Sequence, residues 1–519
     1  MEQRLATLIA DLENAEQFSG TDLNRAARRA AWVAEFTPQP LEEFFTAVSQ
    51  LPMPLSAAAD RLLANWLVAA VQTRRKTASP AEIDASILKS LEVLYRGLGE
   101  TSRARGQLLA WLASGATAAE LALFGALLLE EPPQDDQDIV QSLAPLFQKQ
   151  RTQAALLFPR ILRAMTSPGL AAPILDLANF LTREKLAEQH PAADVAPELI
   201  SLLGELVQTL LVLEEKPDEF GDTPQELSRR VARGVALAVS LCDALALIGD
   251  KSAVSKLYQA LQVGHRRLRT EAAAALARLG EEEGKAELVK LAVEPIARLR
   301  VLAYADELGI KDQIEPQYAT KEARAQAELC VWLAEPTQYG VPPTSCELFE
   351  QRKQHWPGFD QPVDCFLFQF QYVVSSEEGE KSFSNIGMAG PLVHAFVADL
   401  ADLPAEDIYA AFAGWHAQHE DIREFDVARL SKSEQLEVER LKRRIHDAGY
   451  TAIEPQRMGY FFGEKALVAT AQRDNVAGVA VADFSEVHWF PQRSNKRPVG
   501  VDEAYSIYKG RKLLKAFNR

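Results

Sequence analysis

Apolar residues recur every three or four positions from the start of the chain to about residue 335, the spacing that places them on one face of an α-helix. Four S/T-x-x-E pairs mark helix starts: Ser79 with Glu82, Thr117 with Glu120, Thr223 with Glu226, and Ser431 with Glu434. In such a pair the hydroxyl and the carboxylate cap the free amides of the first turn reciprocally. Alternating β-branched runs do not occur before Pro336, so the pattern predicts an array of helices over residues 1–335.

The pattern changes after this array. Residues 336–362 are rich in proline and glycine and are interpreted as a connection between domains. The alternation of Phe366, Phe368, Phe370 and Tyr372 with polar glutamines then predicts a half-buried strand. Two helical stripes and a strand-rich stretch from Tyr450 to Phe490 follow. Residues 363–519 are therefore predicted to form an α+β domain.

Two finer expectations concern this domain. The stripes are Ile408, Ala411, Phe412 and Trp415 in one helix, and Val438, Leu441 and Ile445 in another. Residues 385–391 are predicted to be a glycine-containing loop that leads into a helix over 392–400. A helix start can hold an anion. The loop has no P-loop lysine, so a turn is favoured over a phosphate site.

Internal similarity is clearest over residues 251–309. Two Arg-Leu-Arg triplets begin at Arg267 and Arg298, 31 positions apart, and each opens a helix that ends in Leu-Gly, at Gly280 and Gly309. A repeat of this length indicates helix pairs that bury their apolar faces against neighbouring pairs. The terminal glycines suit the left-handed residue that ends a helix.

The segments RLRTEAAAALARLG (267–280) and RLRVLAYADELG (298–309) resemble the HEAT repeats of the short bacterial, phycobilisome-lyase-like type. The resemblance implies an α-solenoid, clearest over 229–312, whose second helices line a concave, partner-binding surface. It implies no lyase chemistry, because a repeat architecture alone confers none. Residues 363–519 resemble no family.

Charge and cysteine content narrow the classes of function. The net charge of −16 argues against nucleic acid as the ligand of the whole chain, because phosphate binding needs cationic residues. The four cysteines form no CxxC pair, and so few are typical of a reducing compartment. The longest apolar stretch, Gly234–Gly249, is shorter than a bilayer span and contains Asp243. We therefore expect a cytoplasmic protein without a membrane segment.

Arginines and lysines supply the candidate partner contacts. Arg267, Arg269, Arg298 and Arg300 could form a cationic row toward an acidic partner, but bonds inside their own repeats are the favoured interpretation. Residues 493–519 carry eight basic and two acidic residues, including Lys509, Arg511, Lys512 and Lys515. Contact with RNA or another acidic surface is one hypothesis for this tail. The second hypothesis is that the tail docks on the protein's own acidic body, and the apolar residues of the tail favour this one.

Histidines concentrate after residue 352, where His416 and His419 lie three positions apart and are candidate metal ligands. The sequence is neither HExxH nor HxxEH, so a polar helix end is favoured over a metal site. No nucleophile motif and no cofactor motif is present, and no cofactor is expected.

Together these patterns predict a protein–protein interaction scaffold that uses a solenoid groove, with the α+β domain adding a second contact. Two alternatives stay open: an enzyme of unrecognised type in the α+β domain, with His394, His416, His419 and Asp399 in one cleft, or nucleic-acid contact through the basic tail.

Overall fold

Local capping signals begin three of the helices in the computed structural model, which describes residues 2–76, 83–115, 117–148, 152–216, 223–376, 379–418, 421–492 and 497–518. Thr117, Thr223 and Ser431 each form the reciprocal capping box with the glutamate three residues on. The fourth marked pair, Ser79 with Glu82, lies outside the described residues.

Contacts divide the chain into two units, Met1–Leu288 and Val289–Arg519. The helices that begin in the N-terminal unit are α1 (Glu2–Glu13), α2 (Gly20–Ala27), α3 (Ala30–Ala34), α4 (Pro38–Ser49), α5 (Ala57–Lys76), α6 (Ala85–Gly97), α7 (Arg103–Gly115), α8 (Ala118–Glu130), α9 (Asp136–Leu143), α10 (Pro168–Arg183), α11 (Ala196–Glu215), α12 (Pro224–Ile248), α13 (Val254–Ala260), α14 (Arg266–Arg278) and α15 (Glu282–Lys290). Among the described residues, three 3-10 helices, Ala144–Leu146, Thr152–Leu157 and Arg160–Thr166, lie between α9 and α10. The described residues of this unit contain no strand, in agreement with the predicted helical array.

Helices of the N-terminal unit pack mainly against the second helix along the chain. α5 contacts α3 and α7, α7 contacts α9, and α12 contacts α10 and α14, while α4 packs on α6. Leucines and alanines fill the interior, with Leu268, Ala272 and Leu276 of α14 fully buried as their spacing predicts. Gly280 and Gly309 adopt the expected left-handed conformation after their helices, with φ of 94° and 68°, and Gly249 does the same after α12, with φ of 82°.

Polar side chains also link helices of this unit. The pairs are Ser102 with Asp60, Gln107 with Gln141, Arg233 with Asp136, Ser240 with Asp176, and Arg183 with Asp243. The Arg233 guanidinium contacts both Asp136 oxygens at 2.8 Å. Paired bonds of this kind add orientation to the non-directional apolar contacts, and so define the register of one helix on the next.

The C-terminal unit is α+β, as predicted. Its elements are α16 (Pro295–Glu307), α17 (Lys321–Leu333), β1 (Ser345–Gln354), β2 (Val363–Ser376), β3 (Gly379–Ala389), β4 (His394–Ala395), α18 (Ala405–His416), β5 (Ile422–Asp426), α19 (Lys432–Asp447), β6 (Thr451–Phe461), β7 (Glu464–Arg473), β8 (Val476–Ala482), β9 (Val487–Pro491) and α20 (Val501–Phe517). Strands β1–β4 form one antiparallel sheet (sheet A) and β5–β9 another (sheet B), each in sequence order.

Alternation along the strands produces five layers. Phe366, Phe368 and Phe370 of β2 pack against α17, whereas Cys365 and Leu367 face α18 and α20. Sheet B packs its opposite faces against α18 and α20 on one side and α19 on the other. The order is therefore α17, sheet A, the α18–α20 pair, sheet B, and α19.

Glycines allow α18 and α20 to cross closely. A Cβ at Gly414 would lie 1.9 Å from the Ser506 carbonyl oxygen, and one at Gly510 would lie 1.8 Å from that of Ala410. No side chain larger than hydrogen fits at either position. The backbone contact that results fixes the C-terminal helix in the middle of the unit.

Three expectations differ from the structure. Residues 392–400 are not helical, because the buried Asn385 side chain binds the backbone of Phe396, Ala398 and Leu400. Residues 385–389, expected to be a loop, belong to β3. The segment 336–362, expected to be a connection, contains β1.

The division between the two compact units lies between Leu288 and Val289. α17 belongs to the C-terminal unit because Leu329 and Leu333 bury their side chains against sheet A.

Candidate functional site

A polar groove crosses three helices of the N-terminal unit and has a volume of about 570 Å³. It is lined by Ala64, Asn65 and Val68 of α5, by Glu100, Thr101, Arg103 and Gln107 at α7, and by Gln134, Asp135, Gln137, Asp138 and Gln141 at α9. This volume falls within the range of ligand-binding sites. We refer to this site as the amide groove.

Two local features place the helices that line the amide groove. The buried Asp60 carboxylate of α5 accepts hydrogen bonds from the Ser102 hydroxyl and, at 2.9 Å, from the Arg103 amide, which fixes the start of α7. Gly106 then lets α9 approach, because a Cβ there would lie 2.9 Å from the Asp138 Cβ. The groove floor is therefore held by a buried carboxylate and a close helix contact.

Carboxamides dominate the wall of the groove. The Gln107 side chain donates to the Gln141 side-chain oxygen at 2.6 Å and is only 8% exposed. Asn65, Gln134 and Gln137 are exposed, and their side chains make no hydrogen bond within the described part of the chain. Each of these three amides therefore presents both a donor and an acceptor to the groove.

The charges in the groove are mainly negative. Asp135 caps α9 by accepting the Gln137 amide at 2.8 Å, whereas the half-buried Asp138 carboxylate accepts no hydrogen bond among the described residues. Burial, with the nearby charge of Asp135, raises the pKa of Asp138, and the Arg103 charge opposes that rise. Three carboxylates thus share the groove with one guanidinium, since Glu100 also lines it.

The predicted arginine row is divided between different environments. Arg298 is 3% exposed and donates to the carbonyl oxygens of Ala292, Val293 and Ala323, each at 2.9 Å. Arg269 pairs with Glu287 at 2.6 Å. Arg267 and Arg300 are exposed. The contacts of Arg298 and Arg269 are therefore internal, as the favoured interpretation has them.

Residues 501–517 of the basic tail form α20, and charges of this helix meet carboxylates of the same unit. Lys509 is 6% exposed and lies 3.1 Å from Glu424, and Arg511 lies 2.7 Å from Asp407. Lys512 contacts Glu464 and, at 2.9 Å, Asp483, while Lys515 is exposed. This arrangement matches the hypothesis in which the tail docks on the acidic body.

The Asp483 carboxylate, one of the partners of Lys512, accepts several hydrogen bonds. Burial would raise the pKa of its carboxyl, but hydrogen bonds from Lys512, Ser485 and Glu486 outweigh burial and hold the pKa well below its usual range. Tyr508 adds a hydrogen bond at 3.0 Å. The Lys512 ammonium is therefore paired with carboxylates of its own unit.

The predicted histidine cluster does not form one site. The His416 Nδ1 accepts a hydrogen bond from the Trp356 indole at 3.2 Å, and His419 lies outside the described residues. His394 stacks on Trp415 at 3.9 Å. Asp399 lines a separate cavity of about 140 Å³ to which neither His394 nor His416 contributes. Within the described ranges, no group of three or more histidine, cysteine or acidic residues is arranged to hold a metal.

Two helices of the N-terminal unit, Ala193–Glu215 and Gln225–Ile248, are long and apolar enough to cross a membrane. Core helices of water-soluble proteins pass the same test, so this is weak evidence for a span. Leu203, Val207 and Leu245 from these helices are buried in one shared hydrophobic cluster. The second of the two helices contains most of the longest apolar stretch of the sequence, Gly234–Gly249.

The amide groove was not anticipated. Gln134, Gln137 and Gln141 recur at helical spacing, and that repetition is the one signal in the sequence that could have indicated it. Compared with known proteins, the chain matches no protein-family model, no curated protein and no solved structure.

Proposed function

We propose that this protein is a protein-binding scaffold whose N-terminal unit holds a segment of its partner in the amide groove. The observation that carries the proposal is a groove of about 570 Å³ whose exposed amides have no hydrogen-bond partner in the described residues. Unpaired donors and acceptors that line one concave surface suit a polar ligand. Exposed amides on two helices, Asn65 on α5 and Gln137 on α9, suit an elongated one.

We further propose that this unit is a HEAT-like α-solenoid. Two observations support this: α14, which carries the first Arg-Leu-Arg triplet of the sequence repeat, and the packing of α5 on α7, α7 on α9, and α12 on α14. In a solenoid, alternate helices line one surface, and the amide groove lies on α5, α7 and α9.

The proposal places the protein in the cytoplasm and assigns it no cofactor. The four cysteines support this location, because all four are free thiols in buried positions. The C-terminal unit would add a second contact. Trp415 supports that role: it is 48% exposed, and stacking on His394 holds its ring in place.

Site-specific cross-linking tests the proposal. A photoreactive side chain is placed at Gln137 in the groove or at Asp194, an exposed control position outside it, and cross-linked proteins are identified by mass spectrometry. We expect a defined partner from Gln137 alone. The purified partner should then bind the scaffold and lose affinity with Asn65→Arg but not with Asn24→Arg, the same change at an exposed site on α2. Equal cross-linking from both positions, or equal binding by both variants, would refute the proposal.

A further inference from the structure

We infer that the amide groove binds an extended polypeptide segment that carries a lysine or arginine, whose cation lies against Asp138. This inference rests on the proposed scaffold function and names the chemistry of the partner at the same site.

The amides of the groove point to a main chain. An extended polypeptide presents N–H donors and C=O acceptors along its whole length, and each must be paired or hydrated. Asn65, Gln134 and Gln137 each offer one acceptor and two donors. Because they lie on α5 and at α9, opposite sides of the groove can bond the two edges of one extended chain. A helical segment would satisfy its own backbone and leave these amides unused.

The charge of the groove points to a cation. Asp135 is occupied in capping α9, and Asp60 is occupied in fixing α7. Asp138 is half-buried, it lies beside the Asp135 charge, and no hydrogen-bond donor reaches it from the described residues. A partly desolvated carboxylate without a donor is costly, and a charged donor offsets that cost best.

The protein itself offers one cation to the groove, and that cation is exposed. Arg103 lines the groove, but its side chain makes no ion pair with Asp138. Its backbone amide is bound to Asp60, which fixes the chain at this point. A lysine or arginine from a partner would therefore find the Asp138 carboxylate unoccupied and partly shielded from water, where ionic contacts are strongest.

Selection from a random peptide library tests the inference with the full-length chain. Wild-type protein, Asp138→Asn and Asp194→Asn are each used to enrich ten-residue peptides, and the affinities of the enriched peptides are measured by fluorescence anisotropy. We expect wild type and Asp194→Asn to enrich peptides with a lysine or arginine at one fixed position. Asp138→Asn should lose that preference and bind the selected peptides about tenfold more weakly.

The other outcomes separate this inference from the scaffold proposal. Enrichment of peptides without a charge preference, or of acidic peptides, would overturn the cation assignment and leave the scaffold function standing. If no peptide is enriched but Asn65→Arg still abolishes binding of a folded partner protein, the assignment of an extended segment would be overturned and the scaffold function would stand. Competition by spermidine equal to that of the selected peptide would show a general cation site and overturn the inference as well. Circular dichroism of Asp138→Asn should match wild type, and an Asp138→Glu variant should retain the preference for basic peptides.

Discussion

Replacement of Arg298 by alanine should destabilise the C-terminal unit far more than the same change two residues later at Arg300. Arg298 is 3% exposed, and its guanidinium donates to three backbone carbonyls and, at 2.6 Å, to the Gln326 side chain. It also lies 5.3 Å from the centre of the Tyr318 ring. Arg300 is exposed on the same helix.

The magnitude follows from the acceptors that lose their donor. A buried polar group left without a partner costs roughly 1–3 kcal/mol. Three carbonyls and one amide oxygen lose a donor in Arg298→Ala, and a second lone pair on each acceptor offers partial relief, so we expect a loss of about 4 kcal/mol. An exposed substitution such as Arg300→Ala costs about 0.5 kcal/mol or less. Arg298→Lys should recover little, because one ammonium cannot reproduce the planar fork.

Urea unfolding of the full chain, followed by tryptophan fluorescence, measures these differences. With a urea dependence of about 3 kcal/mol per molar, the midpoint of the affected transition should fall by about 1 M in Arg298→Ala. Hydrogen exchange of residues 289–333 should accelerate in that variant and stay unchanged in Arg300→Ala. Equal midpoints for the two variants would refute the view that the buried contacts of Arg298 stabilise the C-terminal unit.

Three further predictions concern single residues. Burial lowers the pKa of His190 to about 4, and its Nδ1 accepts a hydrogen bond from a backbone amide. The contribution of this histidine to the free energy of unfolding is therefore full above pH 6.5 and should fall by roughly 3 kcal/mol as the pH drops to 4. In acid denaturation the variant His190→Gln should lack this loss. Cys330 and Cys346 are buried in one hydrophobic cluster, and the interaction between their thiols lowers the pKa of Cys330, so diamide should take two electrons and two protons from this pair and leave an intramolecular disulfide. A peptide map that shows Cys330 or Cys346 joined to another cysteine would contradict this pairing. Gly510→Ala should lower the thermal midpoint by several degrees, whereas Gly20→Ala, with nothing within 4 Å, should not.

Local signals in this sequence predicted local structure well. The capping residues Thr117, Thr223 and Ser431 begin helices where expected, because hydroxyl and carboxylate need only the amides of their own first turn. The turn between β7 and β8 is equally local, because Asp474 and Asn475 both adopt the left-handed conformation that these residue types tolerate.

Tertiary contacts decided the rest. The helix expected over 392–400 fails because Asn385, on a neighbouring strand, binds the backbone of that segment. Strand β1 lies within the proline- and glycine-rich segment, and it forms because its backbone pairs with β2. The amide groove depends on which glutamines stay unpaired, and that depends on helices that are distant in sequence.

The attachment of α17 to sheet A limits where this chain can be cut. The change in composition after residue 335 suggests a natural breakpoint, yet a fragment that begins there would leave Phe366, Phe368 and Phe370 uncovered. A fragment that begins at 289 retains the helix that covers them. Recombination that exchanges the two-sheet unit between proteins would therefore have to transfer the last helices of the array with it.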